Sequence, residues 1–417
     1  MKKLFGAALL LSTMMTQGWA QQDVITFVHV EQNPAIQAYW ESLAQKFEAA
    51  NPDVDVQLQY IEANAFKQKM TTQLQSDDRP DIISSWAGGV LRQQVEAGVI
   101  EDITGKLDAA TADALMPAAS GAFAIDGKTY GVPFRMTQLG VFYSKDKLAA
   151  AKVDPESLTA WDGFLKAVEM LKAAGETPLI VGGADKWPLM FYWSGLSLQS
   201  GGSEAFTTAL AGEGDGFAAA PFVRAGELFQ SLVKLEPFQA GFMGTKYGQS
   251  AGQFGDGKAA MMVVPDFVLN GMKANAADGV GIPLEKLGFV PFPSVPDGTS
   301  EKDLTMGGIN GFLVTKGASP KAAAFLSFFM HPDNQREAAQ KSFYIPAVKG
   351  LEGDLANPIH RTIAGHLAKS TYHQNFYDQA LGASVGAVVN DVSADLAAGN
   401  ITPEEAARTV QEAYASE

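Results

Sequence analysis

The stretch "RPDIISSWAGGVL" (residues 79–91) ends a short apolar run on a tryptophan, Trp86, and two glycines follow it. Ile82 and Ile83 read as a buried strand, so a large ring stands at the strand's mouth beside a flexible turn. Similar groups recur at comparable places. "GGADKWPLMFYWSG" sets Asp185, Trp187, Tyr192 and Trp193 after the apolar "PLIV". "MMVVPDFVLN" sets Asp266 and Phe267 after another run, "GGINGF" sets Asn310 at a glycine-loosened strand start, and "FYIPAV" sets Tyr344 before a proline. Flat rings beside carboxylates and amides suit a carbohydrate, which has an apolar C–H face and a rim of hydroxyls. Each ring buries roughly 150–250 Å². At about 25 cal/mol per Å², two platforms supply several kcal/mol before ordering costs. A carboxylate fixes a hydroxyl well because a charged acceptor makes the stronger hydrogen bond. Taken singly, each of these aromatics is as compatible with core packing as with a ligand. Trp40 and Trp161, inside helical patterns, are expected in the core.

Other chemistries leave few traces. The chain has neither a phosphate-binding P-loop nor a G-x-G-x-x-G after a strand. It has no G-x-S-x-G elbow, and with no cysteine it has no thiol nucleophile. "GEGDG" (212–216) is a glycine-rich turn. Among five scattered histidines, His366 and His373 fit one helical face but lack a third ligand nearby, so neither a metal nor a cofactor is expected. Paired carboxylates for glycoside hydrolysis depend on spacing set by the fold, and an enzyme has no positive sign here. The formal net charge of −15 argues against nucleic acid, whose phosphates call for a basic face.

The first twenty residues read as a secretory signal: Lys2-Lys3, an apolar run over residues 4–15, then Gly18 and Ala20 at the positions a signal peptidase reads, with cleavage after Ala20. The run is shorter than the roughly 20 residues a membrane span needs. Without cysteine there is no site for a lipid anchor behind the signal. A soluble periplasmic protein is expected.

The binding groups need elements to hold them. The remaining chain is long enough for two or three domains. "VITFVHV" (24–30) has the continuous apolar character of a strand covered on both faces. Asn33 and Pro34 read as an N-cap and first helical residue. Ile36, Tyr39, Trp40, Leu43 and Phe47 then follow at helical spacing. "VDVQLQY" alternates as a strand, Phe66, Met70 and Leu74 mark another helix, and residues 79–91 give a third strand. This β-α-β-α-β order predicts a parallel sheet with right-handed crossovers, whose ligands lie beyond the carboxyl ends of the strands. Glu31, Gln32 and Trp86 fall there. Asp126-Gly127 marks a hairpin. "LGVFYSKD" and "TPLIVGG" read as strands of a second α/β region that begins near residue 131, and "LGFVPFP" and "GGINGFLVT" read as strands again. Thr159 and Asp162 suggest a capping box for a helix that Gly175 ends. A helix is expected over 321–330, the tail from His360 reads helical, and Thr402-Pro403 with Glu405 opens a last capped helix.

In this order, "FEAANPDVDVQLQYI", "RPDIISSWAGG", "VEAGVIEDIT", "DGKTYGVPFRMTQLGVFYSKD", "GGADKWP", "FGDGKAAMMVVPDF", "ASPKAAAFLSFFM", "YIPAVKG" and "NITPEEAARTVQEAY" resemble the extracellular solute-binding proteins of bacterial ABC sugar importers, family 1, of the maltose, raffinose and α-glucoside type. The resemblance implies an α/β, two-lobe periplasmic-binding-protein fold of type II. Each lobe would be a mixed, mainly parallel sheet flanked by helices, and a hinge would join them. Lobe 1 would take residues 21–131 plus 292–343, and lobe 2 residues 132–291 plus 344–417. A sugar would be trapped between the lobes and passed to the permease subunits in the cytoplasmic membrane, with the protein a monomer. Matched residue by residue, Trp86 is the stacking tryptophan of the first lobe. Arg135 and Thr137 lie on a crossover that lines the cleft, and Asp185 and Trp187 on a second-lobe loop. Asp378 in "FYDQAL" matches a further family feature. "PDF" departs from the family's glycine, small residue and tryptophan; Phe267 is a smaller platform, and Asp266 adds an acceptor. A secreted carbohydrate-active enzyme and a receptor for a monosaccharide, polyol or other non-sugar solute remain the alternatives. A phosphorylated solute would need an arginine cluster or an exposed helix N-terminus at the cleft, and only Arg135 is an evident candidate.

Overall fold

The computed structural model describes residues 23–300 and 303–417; residues 1–20, expected to be a signal sequence, lie outside them. The apolar runs assemble two sheets with separate cores. In the first sheet the strands are β1 (Asp23–His29), β2 (Val54–Tyr60) and β3 (Ile82–Trp86). After a two-residue hairpin of β4 (Ala124–Ile125) and β5 (Lys128–Thr129) comes β6 (Gly131–Met136). The second sheet contains β7 (Leu139–Ser144), β8 (Met261–Pro265) and β9 (Leu287–Pro291). The chain then gives β10 (Leu304–Gly307), β11 (Ile309–Val314) and β12 (Tyr372–Asn375).

The first sheet runs β2-β1-β3-β11-β6. β1 pairs parallel with β2 and β3, while β11 returns antiparallel between β3 and β6. The β-α-β-α-β reading therefore holds for the N-terminal part. The helix Pro34–Ala50 begins as expected, with Asn33 accepting from the Ala35 N–H at 2.9 Å. Its apolar face meets Phe27, Phe312, Phe325 and Phe329, and Trp40 is at the centre of this ring cluster.

The second sheet runs β8-β7-β9, with both pairings antiparallel. "TPLIVGG" contributes only single bridges from Leu179 to Phe238 and Met261; its backbone bonds to Pro237, Ala260 and Met261, and the Gln239 side chain bonds both Val181 N and O. Thr159 does not cap the following helix. Its hydroxyl donates to Glu156 O inside a 3₁₀ turn, and the helix Trp161–Ala173 starts after Ala160 without a side-chain cap. The tail is helical except for β12, which pairs parallel with β10. The last helix, Pro403–Ala415, has the full capping box of Thr402 and Glu405.

The change of core falls within a few residues of the connections. Val132 and Phe134 pack in the first core, and Leu139 begins the second. Val295 is still in the second core, whereas Tyr344, Val348 and Leu351 pack in the first. The crossover Thr137–Gln138 is pinned on both sides. Gly308 N donates to Thr137 Oγ1 at 2.8 Å, and Gln138 N donates to Asp266 Oδ1 at 2.9 Å.

Candidate functional site

The carboxyl ends of β1, β2 and β3 all open on one side, and the second core faces them. Between the two is a cavity of about 440 Å³, within the usual span of small-molecule sites, about 300–1,000 Å³. Glu31, Gln32, Trp86, Arg135, Thr137, Asp185, Trp187, Phe267, Asn310 and Asp378 all line it.

On the first-lobe side, Trp86 is 8% exposed. Its edge meets Phe66 at 6.0 Å and 75°, and the Lys67 ammonium lies 5.2 Å from its ring centroid. Two glycines after it are required by geometry. Gly88 has φ +96°, and a Cβ on Gly89 would meet Gly382 N at 2.3 Å. The turn that ends β3 thus also lets the C-terminal helices approach. Arg135 is the polar hub. Its Nη1 donates to Glu31 Oε2 at 3.1 Å, and Nε and Nη2 face the Asn310 amide, whose oxygen accepts from them at 3.0 and 3.1 Å once the amide is turned over. Glu31 Oε1 also accepts from Asn33 N at 2.9 Å. The arginine's charge is therefore paired, which leaves it unsuited to hold a phosphate.

Across the cavity stands a wall of rings. Trp187 packs on Tyr247 (4.8 Å), Phe191 (5.5 Å) and Phe267 (6.1 Å), and Phe191 packs on Phe376 (4.8 Å). Trp187 and Phe191 are on the first turns of the helix Trp187–Leu210, and Tyr247 opens the helix Tyr247–Gly255. Asp185 holds the two starts together: its Oδ2 accepts from Tyr247 N at 2.7 Å. Gly182 permits this approach, since a Cβ there would sit 2.6 Å from Tyr247 Cα. The lobes are also bridged directly. Asn64 Nδ2 donates to Asp185 Oδ1 at 2.9 Å, Asn33 Nδ2 to Asn270 Oδ1 at 3.3 Å, and Lys67 lies 3.6 Å from Asp378.

Three expected contact residues do not line the cavity. Tyr192 is fully buried in the second core, stacked on Phe229 at 5.0 Å and 2°. Its side chain leaves the helix about 100° round from that of Phe191. Tyr344 is 2% exposed and packs edge-on to Phe134 in the first core. Asp266 turns inward to accept from Gln138 N, with His360 Nε2 3.9 Å away. Burial pushes its carboxyl up to about 6 and holds the His360 imidazole down at about 3. Trp193, adjacent to Tyr192, is likewise in the core, with its Nε1 donating to Phe222 O.

The sequence reading missed Tyr60, Asn64, Lys67, Tyr247, Asn270 and Phe376, all of which line the cavity. Tyr60 ends β2, so the rule that selected Glu31 and Trp86 would have selected it. Asn64 and Lys67 follow in the next helical turns. Tyr247 follows a loop rather than a strand, and Phe376 follows a strand that the helical reading of the tail overlooked.

Comparison with known proteins agrees with this architecture. The multiple sugar-binding protein of Streptococcus mutans is 27% identical over 175 residues, covering 42% of this chain and 40% of that one. A structure from Caldanaerobius polysaccharolyticus, solved in a study of xylan utilization, superposes with a TM-score of 0.86 at 24% identity, covering 93% of this chain and 99% of the other. The GacH receptor of Streptomyces glaucescens, solved unliganded and with acarbose, gives 0.77 at 21% identity, over 95% of this chain and 98% of the other. These likenesses establish the two-lobe fold. Residues 32–336 match the bacterial extracellular solute-binding proteins, and with most of its length so matched the chain belongs to that family.

Proposed function

We propose that this protein captures a carbohydrate, a di- or oligosaccharide, between its lobes and delivers it to an ABC permease for import. The observation that carries the reading is the apposition of Trp86 to the Trp187–Tyr247–Phe267 wall across a cavity rimmed by Glu31, Gln32, Asn64, Asp185 and Asn310. A pyranose fits between two aromatic surfaces, its hydroxyls reaching acceptors held in place by their own partners. The sugar-binding relatives support the same reading.

Ligand favours the lobe-closed form only through contacts that form nowhere else. Asn64–Asp185 and Asn33–Asn270 supplement those contacts, and the closed outline is what the permease reads. The role is binding without turnover. Glu31 is tied to Arg135, Asp185 to Tyr247 N and Asn64, and Asp378 to Lys67, so the cleft carboxylates act as fixed acceptors. Asp266, with its raised pKa, does not line the cavity. On this reading residues 1–20 are an export signal, and the mature chain acts as a soluble monomer in the periplasm.

Titration of tryptophan fluorescence with mono-, di- and trisaccharides and polyols tests the reading. At least one saccharide should change emission saturably and raise the melting temperature. A panel in which none does so overturns it, and release of new reducing ends from an oligosaccharide would make the protein an enzyme.

A further inference from the structure

Of the rings that line the cleft, Tyr60 is the most exposed, at 41% against 8% for Trp86. It ends β2, its Cα pairs with that of His29 on β1, and the His29 imidazole stands behind it with 6.1 Å between ring centroids. Glu62, two residues on, also lines the cavity. Its Oε2 accepts from the N–H groups of Asn64 and Ala65 at 3.0 and 3.1 Å, which leaves Oε1 for a ligand. Burial, and after it the Glu62 and Glu31 carboxylates, raises the Tyr60 hydroxyl above its ordinary pKa, so the ring's polar end lies in the field of two acceptors. Asn64 bonds Asp185 of the second lobe at 2.9 Å, so the turn that carries these groups is held against the opposite wall. Tyr60 and Trp86 end the two strands that flank β1, and strands in a sheet lie about 4.8 Å apart. On the Phe27–Ile82 register, Trp86 also lies two residues further along than Tyr60. The anchor points of the two rings are therefore separated by roughly 10 Å across the strands and about 7 Å along them, further than one pyranose spans.

We propose that Tyr60, beside Glu62, is the platform of an outer sugar subsite, and that the ligand is an oligosaccharide laid along the first-lobe floor from Trp86 to Tyr60. This rests on the carbohydrate reading of the cleft. A bare phenol ring next to an acid suits a sugar unit, whose apolar face covers the ring while its hydroxyls donate to the carboxylate. The exposed part of Tyr60 is roughly 80 Å² of the about 200 Å² that such a ring buries. Covering half to all of it, at about 25 cal/mol per Å², strengthens binding roughly five- to thirtyfold.

The test is calorimetry, with weak binders read by displacement, using xylo-, cello-, chito- and malto-oligosaccharides of one to five units. Tyr60→Ala removes the ring from an exposed strand end, and Tyr60→Phe keeps it. For the series that binds, affinity should rise at least about fivefold from the monosaccharide to the tightest oligomer. Tyr60→Ala should lower affinity for that oligomer roughly five- to thirtyfold and leave the monosaccharide within about twofold of the wild type. Tyr60→Phe should stay within about threefold for both. If Tyr60→Ala binds the oligomer as the wild type does, or weakens the monosaccharide equally, or if length brings no gain, the outer subsite is overturned and the cleft reading stands. If no saccharide of any length binds the wild type, both fall.

Discussion

Replacing Trp86 by alanine probes the stacking surface most sharply. The indole edge already rests on Phe66 and its exposure is 8%, so a ligand covers only that remainder, on the order of 20 Å² of the roughly 250 Å² that a large aromatic buries. At about 25 cal/mol per Å² this is worth about 0.5 kcal/mol, or a dissociation constant raised roughly two- to threefold. The loss of packing on Phe66 also lowers stability, so the titration belongs well below the variant's own melting temperature. Trp86→Phe keeps an apolar face and should bind more tightly than Trp86→Ala. Calorimetry with the tightest saccharide of the panel gives the constants directly. A folded Trp86→Ala protein that binds as tightly as the wild type would refute the stacking argument.

Asn64→Ala removes a bridge between the lobes onto a charged acceptor, worth about 1.5–3 kcal/mol; ligand affinity should fall roughly tenfold or more, and small-angle scattering should show a larger open fraction at sub-saturating ligand. Tyr192→Phe should leave affinity unchanged and cost little stability, because its hydroxyl is buried without a partner among the described residues, and Tyr344→Phe should likewise leave affinity unchanged; a tenfold loss of affinity in either would put that residue back in the site. Stability should depend on acid in a calculable way. Burial lowers His29 and His373 to about 4 and His360 to about 3, so the unfolded chain takes up these protons first as pH falls below about 6.5. Asp266, raised to about 6, holds its proton in the folded state and offsets one of the three. The net near pH 5 is about two protons taken up on unfolding. Denaturant titrations should therefore show stability falling as pH drops from about 6.5 toward 4, and a flat or opposite slope would contradict the assignment.

The three parallel strands of the first sheet were readable because they and their helices carry their signals locally. Continuous apolar runs, the Asn33-Pro34 start and three-to-four spacing around Trp40 each point to one element. Trp86 was readable by position, since a strand's carboxyl end faces the ligand side of such a sheet. Tyr192 failed for a physical reason. It is one residue from Phe191, and about 100° of helical rotation separates a cleft wall from a core. Asp266 failed because the chain turns it toward a backbone N–H at the crossover, a partner 128 positions away. Tyr247 and Phe376 reach the cavity only through the packing of distant loops, which no short window of sequence contains.

A crystal structure of the protein with the tightest-binding saccharide tests the central claim most directly. It should place a pyranose flat against the Trp86 indole, with Trp187 or Phe267 on the ring's other side and hydroxyls within hydrogen-bond distance of the rim. A ligand seated away from Trp86, or one that touches none of these rings, would contradict it.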